Sequence, residues 1–111
     1  MLIFATALAL CAPVTIVDGD TVRCGTERVR ISDIDAAELS SPKCPDERRR
    51  AIAARDRLAE LLVGRVEIER TGVDRYKRTL ARLRANGRDV GATLIREGHA
   101  RPYGTGRRGW C

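Results

Sequence analysis

Val17-Asp18-Gly19-Asp20-Thr21 sits between two short apolar runs and can be read as backbone or as chemistry. As backbone, Asp18-Gly19 is a hairpin signal, because both central residues of a type I′ turn need φ > 0. As chemistry, two carboxylates flanking a glycine at a strand end suit a hard cation, which takes oxygen ligands. The hairpin reading makes residues 13–17 a first strand and residues 21–24 its partner. Residues 27–34 follow as a third strand, with Val29 and Ile31 on one face.

Beyond this hairpin unit the periodicity changes. Pro45 opens a helix, with Asp46 and Glu47 in the first turn, where the helix dipole favours acids. Ala51, Ala54, Leu58, Leu61 and Leu62 form its apolar stripe, and Gly64 closes it. Residues 65–70 and 78–84 alternate as strands four and five, before a turn at Asn86-Gly87. Asp89 caps a short helix whose Val90, Leu94 and Ile95 face inward, and Gly98 ends it. Strands, helix, strands, helix predict an α+β barrel domain, mainly β.

At 111 residues the chain makes one domain with a single modest core. Twenty-one basic against fifteen acidic residues give a net charge of +6 and a pI near 9.8. Such a charge favours a polyanion such as nucleic acid or an acidic membrane surface. Nineteen of the basic residues are Arg, which a coding bias toward Arg would also produce. The aromatics are only Phe4, Tyr76, Tyr103 and Trp110, too few for a base-stacking platform, so backbone charge contacts would dominate.

Residues 2–12 form an apolar run, set apart from a domain spanning residues 13–111. The run is too short to span a bilayer as a helix. It reads as a signal-like stretch, although no Lys or Arg precedes it; a buried first strand is the competing reading. Cys11, Cys24, Cys44 and Cys111 in so small a chain suggest an oxidising compartment, and the sequence allows three pairings. Export to the periplasm or the medium is expected on that ground.

Two further constellations join the Asp18–Thr21 signal. Asp35 and Glu38 lie at the end of the third strand-like run, and Asp74-Arg75-Tyr76-Lys77-Arg78 opens another strand. Each alone is a charged loop. Together, two carboxylates for a cation, one for a base and two arginines for a phosphate make a hydrolytic phosphodiester site. One geometric condition attaches to this. Arg30 and Asp35 are five residues apart, an odd offset that a regular strand puts on opposite faces. Both reach one site only if the strand bends or ends near Asp33 or Ile34, which leaves Asp33 itself a structural or solvated residue.

Three segments, in order and at compatible spacing, resemble the staphylococcal nuclease-like (thermonuclease) family. They are Val17-Asp18-Gly19-Asp20-Thr21, Val29-Arg30-Ile31-Ser32-Asp33-Ile34-Asp35-Ala36-Ala37-Glu38 and Asp74-Arg75-Tyr76-Lys77-Arg78-Thr79-Leu80-Ala81. The likeness runs from about Val14 to Tyr103. It implies an OB-type five-stranded β-barrel with one longer and one short helix, and a Ca²⁺-dependent phosphodiesterase of DNA and RNA. By resemblance, Asp20, Asp35 and the backbone carbonyl of Ala36 hold the metal. Glu38 is the general base, and Arg30 and Arg78 clamp the phosphate. Tyr76, Lys77 and Tyr103 fall around the nucleotide pocket, with barrel-edge packing as the other reading of the two tyrosines. The fold implied also brings the C-terminal tail back past the loop after Glu38, which favours pairing Cys44 with Cys111. No protein partner is implied, and a monomer is expected.

Two positions depart from the family pattern. Ala37 replaces the proline that usually precedes the glutamate, which frees one φ angle in the loop holding Glu38. Lys77 stands where glycine is common, so it is strained if that turn needs φ > 0. The sole histidine, His99, follows a helix stop, and no His or Cys has the spacing of a zinc site. A non-catalytic OB-fold nucleic-acid-binding module and a protein-interaction domain are the competing classes.

Overall fold

Val22 and Val29 face each other across the ladder of neighbouring strands, both fully buried, and the core grows from that pair. The structure, a computed structural model, describes residues 9–104 and 109–111. In chain order the elements are β1 (Ala9–Leu10), β2 (Val14–Asp18), β3 (Thr21–Cys24), β4 (Glu27–Ile31) and β5 (Ile34–Asp35). They continue with α1 (Pro45–Leu61), β6 (Val66–Val73), β7 (Thr79–Ala85), β8 (Arg88–Asp89), α2 (Val90–Arg96) and β9 (Arg101–Pro102).

The main sheet runs β1-β6-β7-β4-β3-β2, with β8 added to β7, and it curls strongly into a half-barrel. Its neighbours are antiparallel except β4 and β7, which pair in parallel from Val29↔Thr79 to Ile31↔Ala81. β5 and β9 form a separate two-stranded ladder. The fold is therefore α+β and mostly β, and its five longest strands are the five the sequence reading expects. Val22, Val29, Ile31, Ile34, Leu58, Leu83 and Leu94 make the centre of the core. Ala51, Ala54 and Leu58 of α1 are fully buried, so the helical stripe lies against the sheet; Leu61 is only partly covered.

Four expectations need correction. The third strand ends at Ile31 and not at Ile34. The boundary at residue 13 moves, because Ala9 and Leu10 pair with Ile68 and Glu67 and Cys11 is buried. Residues 1–8 lie outside the described residues, as does most of the Gly-rich basic tail. Third, Asp18-Gly19 is not a type I′ turn: neither residue has a positive φ, and the register slips between Ile16 and Asp18. Asn86 and Gly87, at φ 53° and 73°, are the type I′ pair, joining β7 to β8.

Fourth, Gly19 serves proximity and not turn conformation. A Cβ there would sit 2.7 Å from the Ala54 methyl and 2.9 Å from that of Ala36. The β2–β3 turn is thus pressed between α1 and the chain after β5, and small side chains on all three segments make room for it.

Cys11 is bonded to Cys24, and Cys44 to Cys111 across a separation of 67 residues. Closing a loop of that length stabilises by roughly 4 kcal/mol in the chain-entropy account. The two disulfides suit an oxidising environment. No helix among the described residues is long and apolar enough to cross a membrane.

Gly19→Ala is expected to cost about 1–3 kcal/mol in urea unfolding through overpacking. Gly72→Ala, where the nearest atom lies at 3.9 Å, serves as the control and should change little. Equal stability of Gly19→Ala and wild type would show that the turn does not depend on this close approach.

Candidate active site

The chain turns after β4 because its next residues are held elsewhere. The Ser32 amide donates to the Ala81 carbonyl at 2.9 Å, and β5 then pairs with β9, Asp35 opposite Arg101. This corner meets the condition set by the odd offset of Arg30 and Asp35. Arg30 closes the corner: Nη1 donates to the carbonyls of Ile31 (2.9 Å) and Ile34 (3.0 Å), and Nη2 to Asp35 Oδ1 (2.7 Å). The same Nη2 lies 3.5 Å from Asp20 Oδ2 on the β2–β3 turn. One guanidinium, only 12% exposed, gathers both candidate metal-ligand carboxylates.

Ala36 arrives beside them. Its amide donates to Asp20 Oδ2 at 3.4 Å, so the main chain expected to supply a carbonyl ligand is next to the first carboxylate. Asp18 belongs to this cluster as well. Burial first, and then the adjoining Asp20 carboxylate, push its carboxyl up to about 7, and Glu38 adds to the same repulsion. Asp18 therefore holds its proton well above the ordinary carboxyl range, beside the Asp20 carboxylate. Among the described residues no group of three or more His, Cys, Asp or Glu side chains is arranged around a common metal position. The Asp20 and Asp35 carboxylates with the nearby main chain would offer an all-oxygen set of the kind a hard cation takes, with water completing its shell. The crowding of Asp18 with Asp20 is the kind that such a cation relieves.

Beside the cluster lies a cavity of about 460 Å³, whose wall includes Arg30, Ser32, Arg78 and Tyr103. Arg78 enters it from the 74–78 turn, and Asp74 builds that turn. The Asp74 carboxylate accepts from the amides of Tyr76 and Arg78, each at 2.9 Å, and from Arg78 Nε at 2.8 Å. Burial opposes its ionisation, but those bonds from Arg78 and Tyr76 outweigh it and hold the carboxyl below its ordinary range. With Nε committed, the terminal nitrogens of Arg78 have no hydrogen-bond partner among the described residues, and they face the cavity that Arg78 lines.

Tyr76 and Tyr103, both largely exposed, form rims: Arg78 stands 5.5 Å from the Tyr76 ring and Arg30 5.3 Å from the Tyr103 ring. Lys77 is in the left-handed region at φ 64°, so lysine carries strain of about 1–2 kcal/mol where glycine would carry none. Asp33 is structural: Oδ2 accepts from Arg82 Nε and its carbonyl from the Tyr103 amide. His99 packs after α2, its amide on the Leu94 carbonyl.

Glu38 is exposed, and its Oε1 accepts from Ser40 Oγ at 2.7 Å. What fixes its backbone is Glu47, a residue that sequence reasoning treats only as a first-turn acid. Glu47 is 5% exposed, and its carboxylate accepts from the Lys43 amide at 2.6 Å and the Glu38 amide at 3.4 Å. Its own amide donates to Cys44 Sγ, the N-cap of α1 and one half of the disulfide to Cys111. The signal available in sequence was an acid three residues after the cap, which satisfies amides preceding the helix.

The chain matches the family described as staphylococcal nuclease homologue over residues 28–108. It belongs to that family. A relative from Haemophilus influenzae (strain ATCC 51907 / DSM 11121 / KW20 / Rd), described as an uncharacterized endonuclease, is 31% identical over 99 residues. The match covers 84% of this chain and 52% of the relative, so the chain spans about half the relative's length. The matched span carries the β4–β5 corner, α1 and the 74–78 turn; the Asp18–Thr21 turn precedes it.

Glu47→Ala should cost about 1–3 kcal/mol, because it leaves the part-buried amides of Lys43 and Glu38 without their acceptor. Hydrogen exchange should accelerate at the amides of Glu38 and Lys43. Unchanged protection at both would show that the loop is held without Glu47.

Proposed function

We propose that this chain is a nuclease, a Ca²⁺-dependent phosphodiesterase acting on DNA or RNA. The observation that supports it best is Arg30, which lines the same cavity as Arg78 while holding the carboxylates of Asp20 and Asp35. Family membership and the printed description of the Haemophilus influenzae relative as an endonuclease point the same way.

In this reading Asp20, Asp35 and the Ala36 carbonyl hold the cation, which when bound neutralises phosphate charge. Glu38 accepts a proton from the attacking water, a role worth about 10²–10⁴ in rate. Arg30 and Arg78 pair with the phosphate oxygens, since a planar guanidinium matches them two at a time. They also oppose the negative charge that builds in the transition state. Tyr76 and Tyr103 flank the nucleotide, and Lys77 adds positive charge at the rim. The two disulfides support work in an oxidising compartment, secreted or periplasmic. A non-catalytic binding module is the competing class, and only cleavage separates the two.

Plasmid DNA and RNA should be cut in the presence of Ca²⁺ and left intact with chelator. Glu38→Gln should cut about 10²-fold more slowly while substrate binding persists, because only the proton acceptor is lost. Equal rates for Glu38→Gln and wild type would remove Glu38 from the mechanism. Intact nucleic acid under every condition would sink the nuclease reading.

A further inference from the structure

The outward face of the β3–β4 ladder carries charge that no acid answers. Val22 and Val29 point into the core, so their register neighbours Arg23 and Arg28 point out, directly opposite each other. Like charges facing across an antiparallel pair destabilise a sheet. The third member of the row, on β2, is Thr15, which is paired with Arg23 and uncharged. Arg23 has no hydrogen-bond or ion-pair partner among the described residues. Glu27, next to Arg28 in sequence, is committed to Arg70 and Thr79.

The pair also sits beside the cavity. Arg28 and Arg30 are two residues apart on one face of β4, about 7 Å along the strand. Arg28 Nη2 donates to the Tyr76 carbonyl at 2.8 Å, so its guanidinium reaches the turn that carries Arg78. The Arg75 guanidinium lies 4.9 Å from the Tyr76 ring. Cationic groups therefore continue from the cavity across Tyr76 and onto β4 and β3, at a step comparable to one nucleotide.

We propose that Arg23 and Arg28 form a second phosphate subsite, holding the phosphodiester that neighbours the one in the cavity. The inference rests on the nuclease reading and adds to it a direction: the polynucleotide strand leaves the cavity past Tyr76 and crosses β4 toward β3. Repulsion in the free protein is relieved when a phosphate lies between the two guanidinium groups. The ligand is thus a strand of at least two nucleotides and not a mononucleotide.

The test is equilibrium binding of a fluorescent oligothymidylate to the full chain over a salt series, with chelator present so that the strand stays intact. The double variant Arg23→Gln/Arg28→Gln should lower the slope of log K against log salt by about 1.4, two single-strand phosphate contacts at about 0.7 each. Affinity at 0.1 M salt should fall by roughly tenfold or more. The control is Arg65→Gln/Arg88→Gln, which removes the same charge where β7 ends at Ala85, away from its Thr79 end at the cavity. Equal slope changes in the two double variants would overturn the subsite and leave a general charge effect. Arg23→Gln alone should melt no lower than wild type, and a lower melting temperature would overturn the unpartnered pair. Wild type that cuts nucleic acid while the Arg23/Arg28 variant binds normally defeats this inference alone. Wild type that neither binds nor cuts defeats the nuclease reading beneath it.

Discussion

The guanidinium of Arg30 is the joint on which the site depends. Its donors take the carbonyls of Ile31 and Ile34, which would otherwise be left by a strand that stops, and the carboxylates of Asp20 and Asp35. Hydrogen bonds to charged groups are worth about 1.5–3 kcal/mol each when desolvated. Asp35 is 42% exposed, so solvent screens its share, whereas Asp20 at 16% is shielded far better. The same contacts do two jobs. They turn the backbone after β4, and they bring carboxylates from two distant segments within reach of one ligand. A lysine could keep the charge but could not serve two carbonyls and two carboxylates from one planar group.

Around that joint, the site is held by features that occupy little space. Gly19, Ala36 and Ala54 let three segments meet at close range, which seats Asp18 and Asp20 against the β5 corner. The loop from residue 36 to residue 44 has no strand or helix of its own, and it would be mobile if left to itself. Three restraints act on it: Ala37 is buried, Glu47 takes its amides, and Cys44 is bonded to Cys111. Buried Ala37 stands where a proline would have fixed φ, so packing replaces a covalent constraint there. The C-terminal end joins in through Trp110, whose ring lies 3.7 Å from the Arg101 guanidinium, and Arg101 is the register partner of Asp35. The tail thus braces both the β5–β9 ladder and the loop before α1.

Much of this was legible in the sequence because local rules and the final structure agree there. The α1 stripe, the Asn86-Gly87 turn, the Asp89 cap and the five main strands follow from periodicity and turn chemistry. The parts that were not legible have a common physical cause. Ala9–Leu10 and Arg101–Pro102 become strands only because β6 and β5 offer them partners, and no two-residue stretch announces that. Asp18-Gly19 carries strong turn chemistry, yet the demand on Gly19 comes from Ala54, a residue thirty-five positions away. Glu47 looks like any helix-start acid until the loop amides it accepts from are placed beside it. Sequence spacing could state the condition for Arg30 and Asp35 to meet, but only the register of β5 with β9 reveals how the chain meets it.

Places where this chain breaks its own local rules gather on one side of the molecule. Asp18 and Asp20 crowd like charges in a half-buried turn, Lys77 occupies a left-handed position without being glycine, and Arg23 faces Arg28. Each would be simple to relieve with an uncharged residue or a glycine, and none is relieved. Several other charged groups are matched: Arg57 with Glu97 and Glu60, Arg70 with Glu27, Arg82 with Asp33. Local conflict retained beside global consistency is expected where a surface is shaped for a ligand and not for stability. The signs of the conflicts also fit together, because excess negative charge on the β2–β3 turn attracts a cation while excess positive charge around Tyr76 and β3–β4 attracts an anion. A phosphodiester with a bound divalent ion carries both charges in one body, and it would relieve both strains at once.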